Sequence, residues 1–214
     1  MHLNQHIEHT VLKADTKEKD IEKLCKEAVE HEFIGVCVPP YFVKSARKYL
    51  KNTEVKIVTV VGFPLGYSST PAKVEEARKA LDEGAKEIDM VINIAALKNK
   101  DYNYVSNDIQ SLCTIVQLKG GILKVILETA LLTKEEKIKA CEICSKIGVD
   151  YVKTSTGFAK SGATIEDVKL MKQNSSSKVK IKASGGIKTK EFALQLIEAG
   201  ASRLGTSSGV ELIK

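Results

Sequence analysis

Two lysines close strand-like runs and lead straight into small-residue loops. Lys153 ends the run Val149-Asp150-Tyr151-Val152-Lys153 and is followed by Thr154-Ser155-Thr156-Gly157. Lys182 lies in Val179-Lys180-Ile181-Lys182-Ala183 and is followed by Ser184-Gly185-Gly186. Lysine is a poor strand residue and costly to bury. Meeting it twice just before a Gly/Ser/Thr turn points to an amine used for chemistry. Strand side chains alternate between faces, so Tyr151, Lys153 and Ser155 share one face, as do Lys180, Lys182 and Ser184. The opposite face of the second run, Val179, Ile181 and Ala183, is apolar. In Glu87-Ile88-Asp89-Met90-Val91-Ile92-Asn93 the apolar set is Ile88, Met90 and Ile92, which leaves Asp89 on the other side.

On neighbouring parallel strands, about 4.8 Å apart, two lysine ammonium groups repel each other. A dry interior penalises both charges, and each effect lowers a lysine pKa. An amine that is neutral part of the time attacks a carbonyl carbon and forms a Schiff base. Asp89 is then the candidate to shuttle protons to and from the carbinolamine and the enamine. This is class I aldolase chemistry, with Lys153, Asp89 and Lys182 as its three groups and neither metal nor cofactor required. A buried Asp–Lys pair can equally be a plain ion pair, but two lysines against one aspartate leave a cation unmatched. Lys124 and Glu128, in Leu123-Lys124-Val125-Ile126-Leu127-Glu128, are expected to pair with each other or with the central residues. Cys37 is expected to be a buried, inert thiol.

A second signal lies in the loops. Thr156-Gly157, Ser184-Gly185-Gly186-Ile187 and Gly205-Thr206-Ser207-Ser208 each follow a strand-like run. Glycine lets backbone N–H groups approach an anion, and the short run 207–213 offers a helix start. Gly157, Gly185, Gly186, Ser207 and Ser208 are therefore the candidate phosphate-binding residues. Ordinary turn chemistry would explain any one loop alone.

These side chains need a scaffold that brings several strands to one mouth. Candidate strands at 7–12, 34–38, 56–61, 87–92, 123–128, 150–155, 179–184 and 202–206 alternate with amphipathic helical runs at 16–32, 70–83, 102–119, 133–147, 164–173 and 190–199. Thr16 and Thr133 are candidate N-caps, and Glu136 completes a capping box with Thr133. Gly84, Gly148 and Gly200 follow helix ends, where a left-handed residue is favoured. Alternating strand and helix implies a parallel sheet with right-handed crossovers. Eight strands predict an α/β protein with a single (β/α)8 TIM barrel, in which phosphate sites commonly form after strands seven and eight. A doubly wound open sheet is the competing arrangement. No linker divides residues 1–214, so one domain is expected.

Composition narrows the function classes. Lys and Arg total 33 against 27 Asp and Glu, a net charge of +6, but the lysines are scattered among glutamates with no arginine stripe or basic tail. A solvated surface is expected, not nucleic-acid binding. The five cysteines show no disulfide framework, and Cys141-Glu142-Ile143-Cys144 falls in a helical run with no second pair for zinc. His6 and His9 lack further ligands around them. There is no signal-peptide pattern and no apolar run of the roughly 20 residues that span a bilayer, so a cytoplasmic location without membrane partners is expected. By analogy with such barrels a homo-oligomer is expected, a dimer first.

The chain resembles the deoxyribose-phosphate aldolase family. The matching segments are His9-Thr10-Val11-Leu12-Lys13, Gly35-Val36-Cys37-Val38, Val61-Gly62-Phe63-Pro64-Leu65-Gly66, Glu87-Ile88-Asp89-Met90-Val91-Ile92-Asn93, Lys124-Val125-Ile126-Leu127-Glu128-Thr129, Tyr151-Val152-Lys153-Thr154-Ser155-Thr156-Gly157-Phe158, Lys180-Ile181-Lys182-Ala183-Ser184-Gly185-Gly186-Ile187 and Gly205-Thr206-Ser207-Ser208. The resemblance implies a (β/α)8 barrel that reversibly cleaves 2-deoxy-D-ribose 5-phosphate to D-glyceraldehyde 3-phosphate and acetaldehyde. It implies Lys153 as Schiff-base lysine, Asp89 as proton donor and acceptor, and Lys182 as the cation tuning Lys153. It also implies phosphate held by Gly157, Gly185, Gly186, Ser207 and Ser208. Glu8 stands where the family usually has Asp before His-Thr, Lys188 where Arg often follows Gly-Gly-Ile/Val, and Tyr67 where a small residue is common. The sequence ends at Lys214 without the tyrosine tail of some members. Another phosphosugar aldolase or isomerase, or a silent phosphate-ligand-binding barrel, are the competing readings.

Overall fold

Eight short strands close on themselves. The computed structural model describes residues 2–214. The strands are β1 (Ile7–Thr10), β2 (Gly35–Val38), β3 (Lys56–Val61), β4 (Glu87–Val91), β5 (Ile122–Ile126), β6 (Tyr151–Lys153), β7 (Lys180–Ser184) and β8 (Ala201–Thr206). All pair in parallel, in chain order, and β8 returns to β1. This is the (β/α)8 barrel expected from the alternation, and the open sheet is excluded. The helices around it are α1 (Glu18–Glu30), α2 (Val43–Tyr49), α3 (Thr70–Glu83), α4 (Ile94–Lys98), α5 (Tyr102–Leu118), α6 (Lys134–Ile147), α7 (Ile165–Asn174), α8 (Lys190–Glu198) and α9 (Gly209–Ile213).

The wall separates a large apolar layer from a small interior rich in charge. Its outer face carries Val36, Val38, Ile57, Ile88, Met90, Val125, Val152, Ile181 and Ala183, which merge with the inner faces of the helices into one large core. On α5 the buried stripe is Val105, Ile109, Leu112 and Val116, at the three-and-four spacing that a helix lying on a sheet requires. Inside the barrel the apolar lining is much smaller: Cys37, Val58 and Val60, with Leu12 and Phe63 packed against them. By strand parity Val91, Ile126 and Tyr151 also face inward, where they lie among the charged side chains.

Local signals account for most helix ends. Thr133 accepts from the Glu136 amide while Glu136 accepts from the Thr133 amide at 2.8 Å, a complete capping box on α6. Thr16 is not the N-cap of α1. Its hydroxyl turns back to the Lys13 carbonyl at 2.6 Å, and the helix begins after Lys17, whose amide donates to Asp20 at 2.8 Å. Strand β5 ends at Ile126, two residues before the left-handed Glu128, φ 57°, and β6 covers only Tyr151–Lys153, so both stop short of the expected ends. The short helix α2 had no expectation behind it; its seven residues are too few for a clear period.

Candidate active site

Strand register sets the site. Asp89 pairs with Lys124 across β4 and β5, Ile126 with Lys153 across β5 and β6, Lys153 with Lys182 across β6 and β7, and Lys182 with Arg203 across β7 and β8. On the other side of β8, Gly205 faces Glu8 of β1. The alternation of each strand therefore delivers seven ionisable side chains to one interior.

Asp89 is the hub. It is fully buried. Its Oδ2 accepts from Lys153 Nζ at 2.7 Å and from Lys182 Nζ at 2.6 Å, and its Oδ1 accepts from Lys124 Nζ at 3.0 Å. Lys182 also donates to Glu8 Oε2. Lys124 lies 2.5 Å from Glu87 and 3.5 Å from Glu8. Arg203 closes the set at 3.4 Å from Glu8 and 3.5 Å from Glu87. Four cations face three carboxylates, so one positive charge is in excess within a largely buried cluster.

The excess falls on Lys153. Burial pushes its pKa down, Asp89 pulls it back up, and the Lys182 charge lowers it again, for a net value below the ordinary lysine range. Lys182 is shifted the other way. Burial lowers its pKa as well, but Asp89 and Glu8 together outweigh that and raise it above the ordinary value. Lys124 is raised in the same way by Asp89, Glu8 and Glu87 against the penalty of burial. Burial alone would raise Asp89, but three surrounding ammonium groups hold it well below the carboxylate range. Glu87 is lowered against burial chiefly by Lys124 and Arg203. The two lysines that look alike in sequence are thus unlike: Lys182 is a fixed cation held by two carboxylates, and Lys153 has one shared carboxylate oxygen and the weaker hold on its proton.

The candidate phosphate residues sit on three linked loops at the carboxyl ends of β6, β7 and β8. Gly157, Gly185 and Gly186 have φ of 86°, 86° and 75°, where a side chain would be strained. A Cβ on Gly185 would lie 2.9 Å from the Gly162 Cα and 3.5 Å from that of Gly157, so the first two loops lie against each other. Thr206 donates to the Ile187 carbonyl at 2.7 Å and ties the third loop to the second. The amides of Gly157, Gly185 and Gly186 donate to no protein group among the described residues. The Ser155 hydroxyl, two residues beyond Lys153, is buried without a partner among them. Ser207 is exposed and Ser208 half-buried, and the helix after them, α9, has only five residues.

Other expected residues resolve differently. Lys124 joins the hub, whereas Glu128 does not pair with it and instead accepts from Thr156. Cys37 is fully buried, and burial pushes its thiol up to about 11. Cys141 and Cys144 are buried in α6, and burial raises both. His9 bonds Glu27 at 2.9 Å and His6 the Ser202 carbonyl at 3.0 Å. No helix among the described residues is long and apolar enough to cross a membrane. A cavity of about 580 Å³ lies between α2 and α3 on the outer layer, away from these groups. Glu87 and Arg203 were not anticipated, although Glu87 shares strand parity with Asp89.

Comparison with known proteins places the chain among aldolases. Residues 3–212 match the model of the DeoC/LacD family of aldolases. Deoxyribose-phosphate aldolase from Thermococcus gammatolerans is 53% identical over 216 residues, covering 100% of this chain and 96% of that protein. The enzyme of the same name from Finegoldia magna is 53% identical over 214 residues and covers 100% of both chains. A solved structure described as a unique tetrameric deoxyribose phosphate aldolase from Aeropyrum pernix superposes with a TM-score of 0.92 at 29% identity, covering 99% of this chain and 89% of that one.

Proposed function

The chain belongs to the DeoC/LacD family of aldolases, and from that premise we propose that it reversibly cleaves 2-deoxy-D-ribose 5-phosphate to acetaldehyde and D-glyceraldehyde 3-phosphate through a Schiff base on Lys153. The observation that carries the reading is the inequality of two lysines sharing Asp89 Oδ2: Lys153 is lowered and Lys182 raised. Only a neutral amine has the lone pair that attack requires.

The neutral Lys153 amine adds to the C1 aldehyde of the open-chain sugar. The carbinolamine loses water to give the protonated Schiff base. The C3 hydroxyl gives up its proton, the C2–C3 bond breaks with its electrons flowing into the iminium, and glyceraldehyde 3-phosphate leaves. The remaining enamine takes a proton at carbon, and water releases acetaldehyde and regenerates the amine. Asp89 is the proton carrier for these transfers, being within hydrogen-bond reach of the reacting nitrogen. Lys182 stays charged, depresses Lys153 and compensates the Asp89 carboxylate. The free amides of Gly157, Gly185 and Gly186, with Ser207 and Ser208, receive the 5-phosphate.

The reaction belongs to the breakdown of deoxyribose phosphate in the cytoplasm, with residues 1–214 as one catalytic domain working as a homo-oligomer, a dimer first. Two experiments test the reading. Acetaldehyde release from deoxyribose 5-phosphate is expected in a coupled assay without added metal. Acetaldehyde with borohydride is expected to inactivate the protein irreversibly by reducing the imine to a secondary amine on Lys153. An adduct on Lys182 instead would overturn the assignment of roles.

A further inference from the structure

Glu128 is a buried acid that the reaction does not use. It is 3% exposed, forms no ion pair among the described residues, and holds a backbone φ of 57°, a conformation that side-chain-bearing residues rarely adopt. Its carboxylate has a single partner residue. The Thr156 amide donates to both oxygens at 3.3 Å, and the Thr156 hydroxyl donates to Oε2. That hydroxyl in turn accepts from the Phe158 amide at 3.1 Å. The result is a relay from the Phe158 amide through the Thr156 hydroxyl to the Glu128 carboxylate, and it straddles Gly157. Neighbouring backbone bonds lock the two segments in register: Leu127 donates to the Lys153 carbonyl and Thr129 to the Thr154 carbonyl, both at 2.9 Å.

A strained backbone and an unpaired buried carboxylate are both unfavourable, and each persists only where the surrounding structure holds it in place. Here both serve one geometric end. The relay satisfies the amides on either side of Gly157 and leaves the Gly157 amide itself unbonded by the protein. It also sets the direction of Phe158, whose ring meets Phe63 edge-on, centroids 5.3 Å apart, joining the loops that follow β6 and β3.

We propose that Glu128 is a positioning residue that braces residues 156–158, holding the Gly157 amide and the Phe158 ring in the arrangement that favours a phosphorylated over an unphosphorylated sugar. The inference rests on the aldolase reading above for its substrates. Glu128 touches no reacting atom and acts through Thr156.

The test compares deoxyribose 5-phosphate with deoxyribose as substrates of Glu128→Ala, Thr156→Val and Thr156→Ser. The ratio of kcat/KM for the phosphorylated over the plain sugar is expected to fall about tenfold in Glu128→Ala and Thr156→Val, the scale of one lost charge-assisted hydrogen bond. Thr156→Ser keeps the hydroxyl and is expected to keep most of the ratio. Amide hydrogen exchange at Phe158 is expected to quicken in the first two variants and not in the third. A ratio unchanged in Thr156→Val, or an equal fall in Thr156→Ser, overturns the proposal, as does unaltered exchange at Phe158. A wild-type protein inert toward deoxyribose 5-phosphate would sink the aldolase reading instead, and the exchange measurement would still decide whether the brace exists.

Discussion

Lys153 and Lys182 stand opposite each other in the ladder between β6 and β7, and their ammonium nitrogens donate to the same oxygen, Asp89 Oδ2, from 2.7 and 2.6 Å. Sharing one acceptor makes their proton affinities interdependent. Glu8 breaks the symmetry, because it binds Lys182 and no contact joins it to Lys153. The second carboxylate decides which lysine keeps its charge.

Replacing Lys182 with Met should therefore act on Lys153. The substitution removes the cation that lowers Lys153 and leaves Asp89 Oδ2 with one ammonium partner. Both changes raise the Lys153 pKa. With the neutral amine as the proposed nucleophile, the acidic limb of kcat/KM should move to higher pH, with a loss at neutral pH of about tenfold for each pH unit the limb moves. A pH–rate profile checks this, and an unmoved limb would deny Lys182 its tuning role.

Asp89→Asn should change the pH dependence of folding. Asp89 and Glu87 both have folded pKa values below their unfolded ones. A lowered carboxylate stabilises the native state above its unfolded pKa, near 4, and that stabilisation drains away as pH falls through the folded value. Wild type should thus lose stability progressively below about pH 4. The variant, lacking the Asp89 share, should be less stable at neutral pH, because three lysines lose their common carboxylate, and its acid limb should be shallower. Urea unfolding at a series of pH values reads both effects. An acid limb as steep as wild type's would show that Asp89 is not depressed.

The central triad is legible in sequence for a physical reason: strand alternation is strict, so Asp89, Lys153 and Lys182 are forced to one face once the strands are recognised. Glu87 obeyed the same parity and was open to the same reading. Arg203 was harder, because β8 is rich in small residues and its inner face has no clear pattern. Glu8 registered only as a departure from a family pattern, and its effect on Lys182 depends on β1 closing against β8, a contact between residues almost 200 positions apart in the chain. The asymmetry of the two lysines could not be read from their near-identical local sequences, since the carboxylate that creates it comes from the far end of the chain. Glu128 was visible as an acid, but its left-handed backbone leaves no mark in a β-branched run.

Outside the site, Lys73 of α3 occupies the helix's buried stripe with Ala77 and Ala80. Its ammonium donates to Asp108 of α5 at 2.6 Å and to the Val91 carbonyl at the end of β4 at 2.9 Å, while Thr70 donates to Asp108 at 2.9 Å. Both charged side chains are fully buried. Removing one partner strands the other in the core, so Asp108→Ala should destabilise by about 3–5 kcal/mol. The double variant Lys73→Met/Asp108→Leu should recover most of that loss, because an apolar pair of similar volume needs no compensation. A double-mutant cycle by chemical denaturation measures the coupling, and additive losses would contradict it.

Gly162 holds the candidate phosphate loops together by having no side chain. A Cβ there would overlap the Gly185 carbonyl and sit 2.7 Å from the Gly185 Cα. Next to it, the Ala163 amide donates to the carbonyls of both Ser184 and Gly185 at 3.0 Å. Backbone cannot yield as a flexible side chain can, so Gly162→Ala must part the loop after β6 from the loop after β7, at an overpacking cost of about 1–3 kcal/mol. The hub lies deeper, on the strands themselves, and should keep its geometry. KM for deoxyribose 5-phosphate should therefore rise about tenfold, the equivalent of about 1.4 kcal/mol of lost binding, while borohydride trapping of acetaldehyde on Lys153 proceeds nearly as in wild type. If trapping fell as far as phosphosugar turnover, the two loops would be acting on the amine and not on the phosphate.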